Sequence, residues 1–343
     1  MMTKKSFDVV TGGAGFIGSH LVDALLAAGG AVKAVDNLSV GRLQNLAQHT
    51  DNPDFEFVEA DVADRQRMQG ELSGARRVYH LAALADIVPS IEKPLGYHDA
   101  NVNGTISVLE ASREAAVERF LYVASSSCYG IPDTYPTAES APIRPQYPYA
   151  LSKYLGEQLV HHWAQVYDMP AVSVRLFNIY GPRARTAGTY GAMFGVFLAQ
   201  LIAGEPLTIV GDGTQSRDFT FVSDAVDAIL CVAEKAAAGS FYNAGTGVDV
   251  SVNRIVELLG TKETVTIPKR PGEPDITLAD ISKIKAELGW QPAVTIEEGV
   301  GIMLENLDYW RDAPVWTAES ISRATESWFK YLGSQTAAGA DRG

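Results

Sequence analysis

The amino-acid sequence predicts an α/β chain, with a doubly wound parallel sheet and a smaller, mostly C-terminal α/β domain. Three observations lead there. A strand-like apolar run, Asp8-Val9-Val10, empties into the loop Thr11-Gly12-Gly13-Ala14-Gly15-Phe16-Ile17-Gly18, and a run with helical spacing follows until Gly29-Gly30 stops it. Short β-branched runs then alternate with helical ones through the first half of the chain, which is the rhythm of βαβ units. The length, 343 residues, suits one or two domains that bury roughly three quarters of their unfolded surface.

Each element carries its own signal. Gly12, Gly15 and Gly18 allow the tight turn, the approach of a pyrophosphate to backbone N–H groups and close packing of helix on strand, with Phe16 and Ile17 opening the helix. This is the Rossmann dinucleotide pattern. A second strand over 31–35 ends at Asp36-Asn37, and a carboxylate about 20 residues past the loop pairs with the adenosine ribose hydroxyls. It favours NAD by repelling a 2′-phosphate, while Arg42 keeps NADP open. Strands follow over 55–59, leading to Asp61-Val62, and over 77–81, ending in His80-Leu81-Ala82-Ala83. Those alanines allow a close backbone approach, or simply follow a buried strand. A helix is expected over 101–116 and a strand over 119–124, which delivers Ser125-Ser126-Ser127-Cys128-Tyr129-Gly130 at the sheet edge where such folds bind ligands. Pro132, Pro136, Pro142, Pro145 and Pro148 keep the next stretch extended and fix a helix start at Tyr149. A sixth strand covers 171–177.

Segments at 219–221, 223–236 and 240–244 return to the first domain, so that domain is expected to be discontinuous, 1–177 with 218–250. The second domain takes 178–217 and 251–335, with helices over 252–259, 281–288 and 296–310. The small, polar stretch 336–343 is expected to be disordered.

Charge narrows the partners. There are 28 basic against 41 acidic residues, a net of -13, which argues against nucleic acid and anionic membrane surfaces. Any phosphate must then be met by local cations such as Arg183 and Arg185, Arg217 or Arg270. No apolar run approaches a membrane span, and no signal-peptide core follows the first residues, so a soluble cytoplasmic protein is expected. The two cysteines, Cys128 and Cys231, have neither metal-ligand nor CxxC spacing; they read as buried thiols, without a disulfide framework or a metal site.

The pentapeptide Tyr149-Ala-Leu-Ser-Lys153 puts a phenol and an ammonium on one helical face, one turn apart. A nearby ammonium lowers a phenol's pKa from about 10 and makes it a usable general base; Ser125 adds a hydroxyl to the same oxygen. The glycine loop, the serine loop and this pair, in this order, resemble the extended short-chain dehydrogenase/reductases, the NAD-dependent nucleotide-sugar epimerase and dehydratase family. The resemblance runs to about Trp310. It implies NAD, with Asp61 and Val62 against the adenine and Leu81, Ala82 and Ala83 beside the cofactor. It also implies a UDP-sugar whose diphosphate meets Asn178, Arg217 and Arg270, with Asp275 near the uridine ribose; Arg185, from the separate basic stretch 183–191, is expected to contact the substrate as well. Asp86 would border the sugar, and reads equally as a solvated loop acid. Relatives form a homodimer through a four-helix interface, so a homodimer is expected.

The serine loop separates the chemistries. A 4,6-dehydratase needs an acid/base pair to move the C5 proton and expel the C6 hydroxyl, and such relatives carry Asp-Glu after the catalytic Thr or Ser. Here Ser126 and Ser127 stand in those places. The carboxylate usual in related decarboxylases is also missing. What is left is a UDP-hexose 4-epimerase with Tyr149 as base, Lys153 tuning it and Ser125 orienting the hydroxyl. Thr277 stands where some relatives restricted to plain sugars have tyrosine, leaving room for a 2-acetamido group; UDP-GlcNAc/GalNAc is expected beside UDP-Glc/Gal. A UDP-glucuronate 4-epimerase, a dehydratase or single-direction reductase working through Asp86 or Cys128, and a dinucleotide-sensing regulator are the alternatives.

Overall fold

The structure, a computed structural model, describes residues 6–184 and 193–340. The first half supplies β1 (Phe7–Thr11), α1 (Phe16–Ala27), β2 (Val32–Asp36), β3 (Phe55–Glu59), α2 (Arg65–Leu72) and β4 (Ala75–His80). Next come α3 (Ile87–Glu92), α4 (Pro94–His98) and α5 (Gly104–Glu114), the last two joined by a π-turn at Asp99–Asn103. They lead into β5 (Arg119–Ser125), α6 (Pro148–Tyr167) and β6 (Ala171–Leu176). The second half adds β7 (Ile179–Tyr180), α7 (Met193–Ala203), β8 (Leu207–Val210), β9 (Ser216–Arg217), β10 (Thr220–Phe221), α8 (Val222–Lys235) and β11 (Phe241–Ala244). Beyond it lie β12 (Val250–Ser251), α9 (Val252–Leu258), β13 (Thr264–Ile267), β14 (Ile276–Thr277), α10 (Ser282–Leu288), α11 (Ile296–Glu305), α12 (Ala318–Ala324) and α13 (Glu326–Ala340).

Seven strands pair in parallel in the order β11-β6-β5-β4-β1-β2-β3. Both faces of the inner strands are covered, so apolar residues stand at successive positions, as in Val9-Val10 and Phe120-Leu121, and the charges Asp8 and Arg175 are buried in ion pairs. One face packs Val10 and Leu121 under Leu21 and Val22 of α1 and Ile229 and Val232 of α8; the other packs Val9 and Phe120 under Met68, Leu109 and Val160 from α2, α5 and α6. Strand order reverses between β1 and β4, so the loops leaving those two strands diverge and open a crevice at their carboxyl ends. Three short sheets, β10-β7, β12-β9-β14 and β13-β8, adjoin a separate aromatic core that includes Tyr180, Phe194, Phe197, Phe221 and Trp310.

The structure corrects several expectations. The helix expected from residue 101 begins seven residues earlier, at Pro94, whose fixed φ suits a first helical position. Asn101, Asn103 and Gly104, weak helix formers, fall at the π-turn and blur the periodicity. The loop carrying Asp86 folds into α3, because Pro89 falls in the first turn, where a missing N–H costs no helical bond. Of the stretch 336–343 expected to be disordered, 336–340 continue α13, whose start is pinned by buried Trp328 and Leu332, and 341–343 lie outside the described residues. Cys128 is buried, but Cys231 is only half-buried.

One buried ion pair ties the site's elements together. Arg175 of β6 donates from Nε and Nη2 to Glu157 of α6 at 2.9 and 2.7 Å, and the two side chains are 3% and 1% exposed. Glu157 also accepts from Ser173 Oγ, while Tyr129 Oη, in the serine loop, accepts from Arg175 Nη1 and donates to Asn243 of β11. Removing one partner leaves the other charge buried and alone. Glu157→Ala is therefore expected to lower unfolding free energy by about 3–5 kcal/mol in urea titrations; a loss below about 1 kcal/mol would contradict this reading of the pair.

Candidate active site

The crevice is lined first by the β1 loop. Gly12 has φ +70°, and a β-carbon there would lie 2.7 Å from the backbone nitrogen of Ala82; one on Gly18 would lie 2.1 Å from the Gly12 carbonyl oxygen. Side chains are excluded at both positions, which leaves a cradle into which a flat or anionic group can approach the backbone. Asp36 ends β2 and accepts from Ala14 N at 3.1 Å and Leu38 N at 2.8 Å. Burial pushes its carboxyl pKa up, and those two N–H groups pull it back. Asn37 donates to Asp61 at 3.0 Å, so these two form one pair beside β2, and Val62 is buried against the core that α5 covers. Leu81 N and Ala82 N donate to Thr11, holding the end of β4 against the glycine loop.

Deeper in, Ser125, Ser126, Ser127, Tyr149 and Lys153 line one cavity of about 440 Å³. Pro148 opens α6 so that Tyr149 and Lys153 share its inner face. Ser125 ends β5, and its Oγ lies 2.8 Å from Ser127 Oγ and accepts from Ser127 N. Lys153 is 4% exposed, and its Nζ sits 4.1 Å from the Tyr122 ring centroid. Burial pushes its pKa down to about 7, partly offset by Glu157.

The expected lowering of the Tyr149 pKa is not found. Burial raises it, the Ser125 hydroxyl pulls it back, and Asp86 and Cys128 add to the rise. The phenol's own burial is the largest cause, and Lys153, itself desolvated and packed on Tyr122, does not offset it.

An adjoining cavity of about 410 Å³ shares Ile87, Tyr149, Asn178, Arg217, Glu273 and Trp328 with the first. Arg217 Nη2 donates to Glu273 Oε1 at 2.9 Å, and Arg270 lies 3.7 Å from Glu273 Oε2, so one carboxylate joins both arginines. Asn178 has φ +26° and accepts from Thr277 Oγ1 at 2.8 Å, bringing those two predicted residues together on the wall. Asp86 stands at the N-cap of α3 without a side-chain capping bond, donates its N–H to Tyr97 Oη at 3.1 Å, and lines the second cavity.

Asp275 departs from expectation. Its side chain pairs with Lys269 and is 67% exposed, outside both cavities, while Glu273 takes the inward place. The tight turn through Gly272, φ +73°, decides which acid faces in, and composition does not reveal that. Arg185 lies outside the described residues. Tyr147, Trp328 and Glu273 are among the lining residues that sequence reading missed; of these three, Glu273 carried a signal, its place beside Arg270 in Arg270-Pro-Gly-Glu273.

Residues 9–303 match the family model described as GDP-mannose 4,6-dehydratase. The chain is 37% identical over 305 residues to a UDP-glucose 4-epimerase of Mycolicibacterium smegmatis, covering 87% of this chain and 97% of that one. Among solved structures it resembles a UDP-glucose 4-epimerase from Thermotoga maritima with UDP-glucose, at 34% identity and TM-score 0.82, over 89% of this chain and 98% of that one. A UDP-glucuronic acid 4-epimerase from Bacillus cereus, in complex with UDP-glucuronic acid and NAD, matches at 31% identity and TM-score 0.82, over 88% and 98%.

The Lys153 amine yields a pH test. Between about 7 and its ordinary 10.5 the unfolded chain holds a proton that the folded chain has released, so stability rises with pH across that window; below about 7 the burial cost is fully present. In protein stripped of nucleotide, the stability advantage of Lys153→Met over wild type should be largest below pH 7 and shrink toward pH 10 in urea titrations. A pH-independent gap would contradict the depressed pKa.

Proposed function

The chain belongs to the GDP-mannose 4,6-dehydratase family, among the extended short-chain dehydrogenase/reductases, and from that premise we propose that it is an NAD-dependent UDP-sugar 4-epimerase. The observation that carries this is the company of Tyr149 in its cavity: Lys153, Ser125, and two further serines where a dehydratase needs carboxylates. The glycine cradle and the Asp36 carboxylate fit NAD, which when bound accepts the C4 hydride and returns it to the other face of the rotated 4-keto sugar. Tyr149 takes the O4 proton and gives it back. Ser125 holds the phenol and the sugar hydroxyl in one line, and Lys153 supplies a proton-labile positive charge beside them. Arg217, Arg270 and Asn178 meet the diphosphate, and Glu273 takes the role expected of Asp275 toward the ribose.

Two rivals lose ground on particular residues. Cys128 is 1% exposed, with its thiol pKa pushed up to about 12 by burial, so it cannot serve as an acid/base partner near neutral pH. Asp86 lines the adjoining cavity, and its carboxylate disfavours a glucuronate; a dehydratase would have to draw its acid from there. We assign residues 1–177 and 218–250 to the cofactor and 178–217 and 251–335 to the nucleotide sugar, and the working form to a cytoplasmic homodimer. The groove of His98, Val102, Leu155, Gln158, Leu159 and His162 along α4 to α6 supplies its docking face. No helix among the described residues is long and apolar enough to cross a membrane.

Purified protein given UDP-GlcNAc, UDP-Glc and UDP-GlcA separately is expected to yield new 4-epimer signals in proton NMR for the first two. Tyr149→Phe should lower turnover by about 10²–10⁴-fold while UDP binding measured by calorimetry is kept; full activity in that variant would sink the assignment. Thr277→Tyr should remove activity on the acetamido sugar and spare the plain one, and equal loss on both would refute the role given to Thr277.

A further inference from the structure

Helix α13 lies beyond the region matched by the family model, which ends at residue 303, yet it reaches into the site. Trp328 is 4% exposed, packs with Val88, Leu332 and Tyr147, and lines both cavities at their junction. Tyr147 in turn stacks on Tyr149, with ring centroids 6.3 Å apart and planes 7° apart, so an aromatic row leads from the phenol to the C-terminal helix. Ser327 Oγ donates to Glu92 Oε1 at 2.9 Å and fastens α13 to α3.

Two contacts give Trp328 more than a packing role. Its Nε1–H donates to the carbonyl of Pro271 at 2.7 Å, and the Arg270 guanidinium lies 5.5 Å from its ring centroid. Both contacts fall on the turn that carries Arg270 and Glu273. A guanidinium held by an aromatic face and by a fixed backbone on the next residue loses little further freedom when it pairs with an anion.

We infer that Trp328 is a positioning residue that presets Arg270 for the substrate's diphosphate, so that a helix outside the matched region sets nucleotide-sugar affinity. The inference rests on the reading of Arg270 as a diphosphate ligand. Trp328→Phe keeps an aromatic ring between Val88 and Leu332 but loses the Nε1 donor and the stronger cation–π face. UDP titrated calorimetrically into wild type, Trp328→Phe, Arg270→Ala and the double variant is expected to bind about five-fold more weakly to Trp328→Phe. The double variant should bind no more weakly than Arg270→Ala alone, because a residue acting through Arg270 has nothing left to act on. With UDP-GlcNAc, the loss in Trp328→Phe should fall mainly on KM rather than kcat.

Unchanged UDP affinity in Trp328→Phe, or losses that multiply in the double variant, would overturn the inference, as would failure of the wild type to bind UDP. Coupled UDP binding without any 4-epimer would leave the inference standing and refute epimerisation instead.

Discussion

A lysine held at 4% exposure is the constraint from which the site follows. In water an ammonium on a four-carbon stem is solvated by three donors; beside Tyr122, under the first turns of α6, it has an aromatic face at 4.1 Å and a carboxylate one turn along its own helix. The resulting amine sits near its midpoint at neutral pH, where a small change in local charge moves its proton. That sensitivity requires Glu157 to stay in place, and Glu157 stays because Arg175 and Ser173 hold it. The same Arg175 reaches Tyr129, so catalytic helix, serine loop and strands β6 and β11 are fixed by one buried polar network. Such a network has a single satisfied arrangement, which makes it a means of setting distances as well as stability.

Tyr149 presents the complementary problem. Its phenol is raised rather than lowered, so the chain by itself keeps it protonated. A base of that kind is inert toward solvent and becomes useful only when further positive charge arrives, which suits chemistry in which proton and hydride leave the same carbinol together. At the other end, in an acidic protein with 41 acidic against 28 basic residues, Arg217 from β9 and Arg270 from the turn before β14 converge on Glu273, and this pair of arginines is what the proposed diphosphate site rests on. The fixed fork geometry of guanidinium groups lets them exchange a carboxylate for phosphate oxygens without refolding the turn.

Much of this was legible in the sequence because it is local. The glycine loop, the strand ends at Asp36 and Ser125, and the spacing from Tyr149 to Lys153 are set by neighbours in the chain, and the structure brings Ser125, Tyr149 and Lys153 to one cavity. What escaped is tertiary. Lys153 of α6 packs against Tyr122 of β5, and the phenol's own burial reverses the direction expected for Tyr149. Which acid faces the cavity also escaped: Glu273 pairs inward with Arg217, while Asp275 pairs with Lys269 at the surface. Trp328 belongs to a helix with no motif at all; it meets the site only because Val88 and Leu332 pack around it.

Epimerisation by transient oxidation requires that a hydride leave C4 and return to the same carbon within one binding event. UDP-glucose deuterated at C4, incubated with the purified protein in ordinary water, tests it directly by NMR and mass spectrometry. The account predicts a 4-epimer that keeps deuterium at C4, with no accumulating keto sugar. A 4-epimer carrying hydrogen at C4, or a stable 4-keto product, would contradict it.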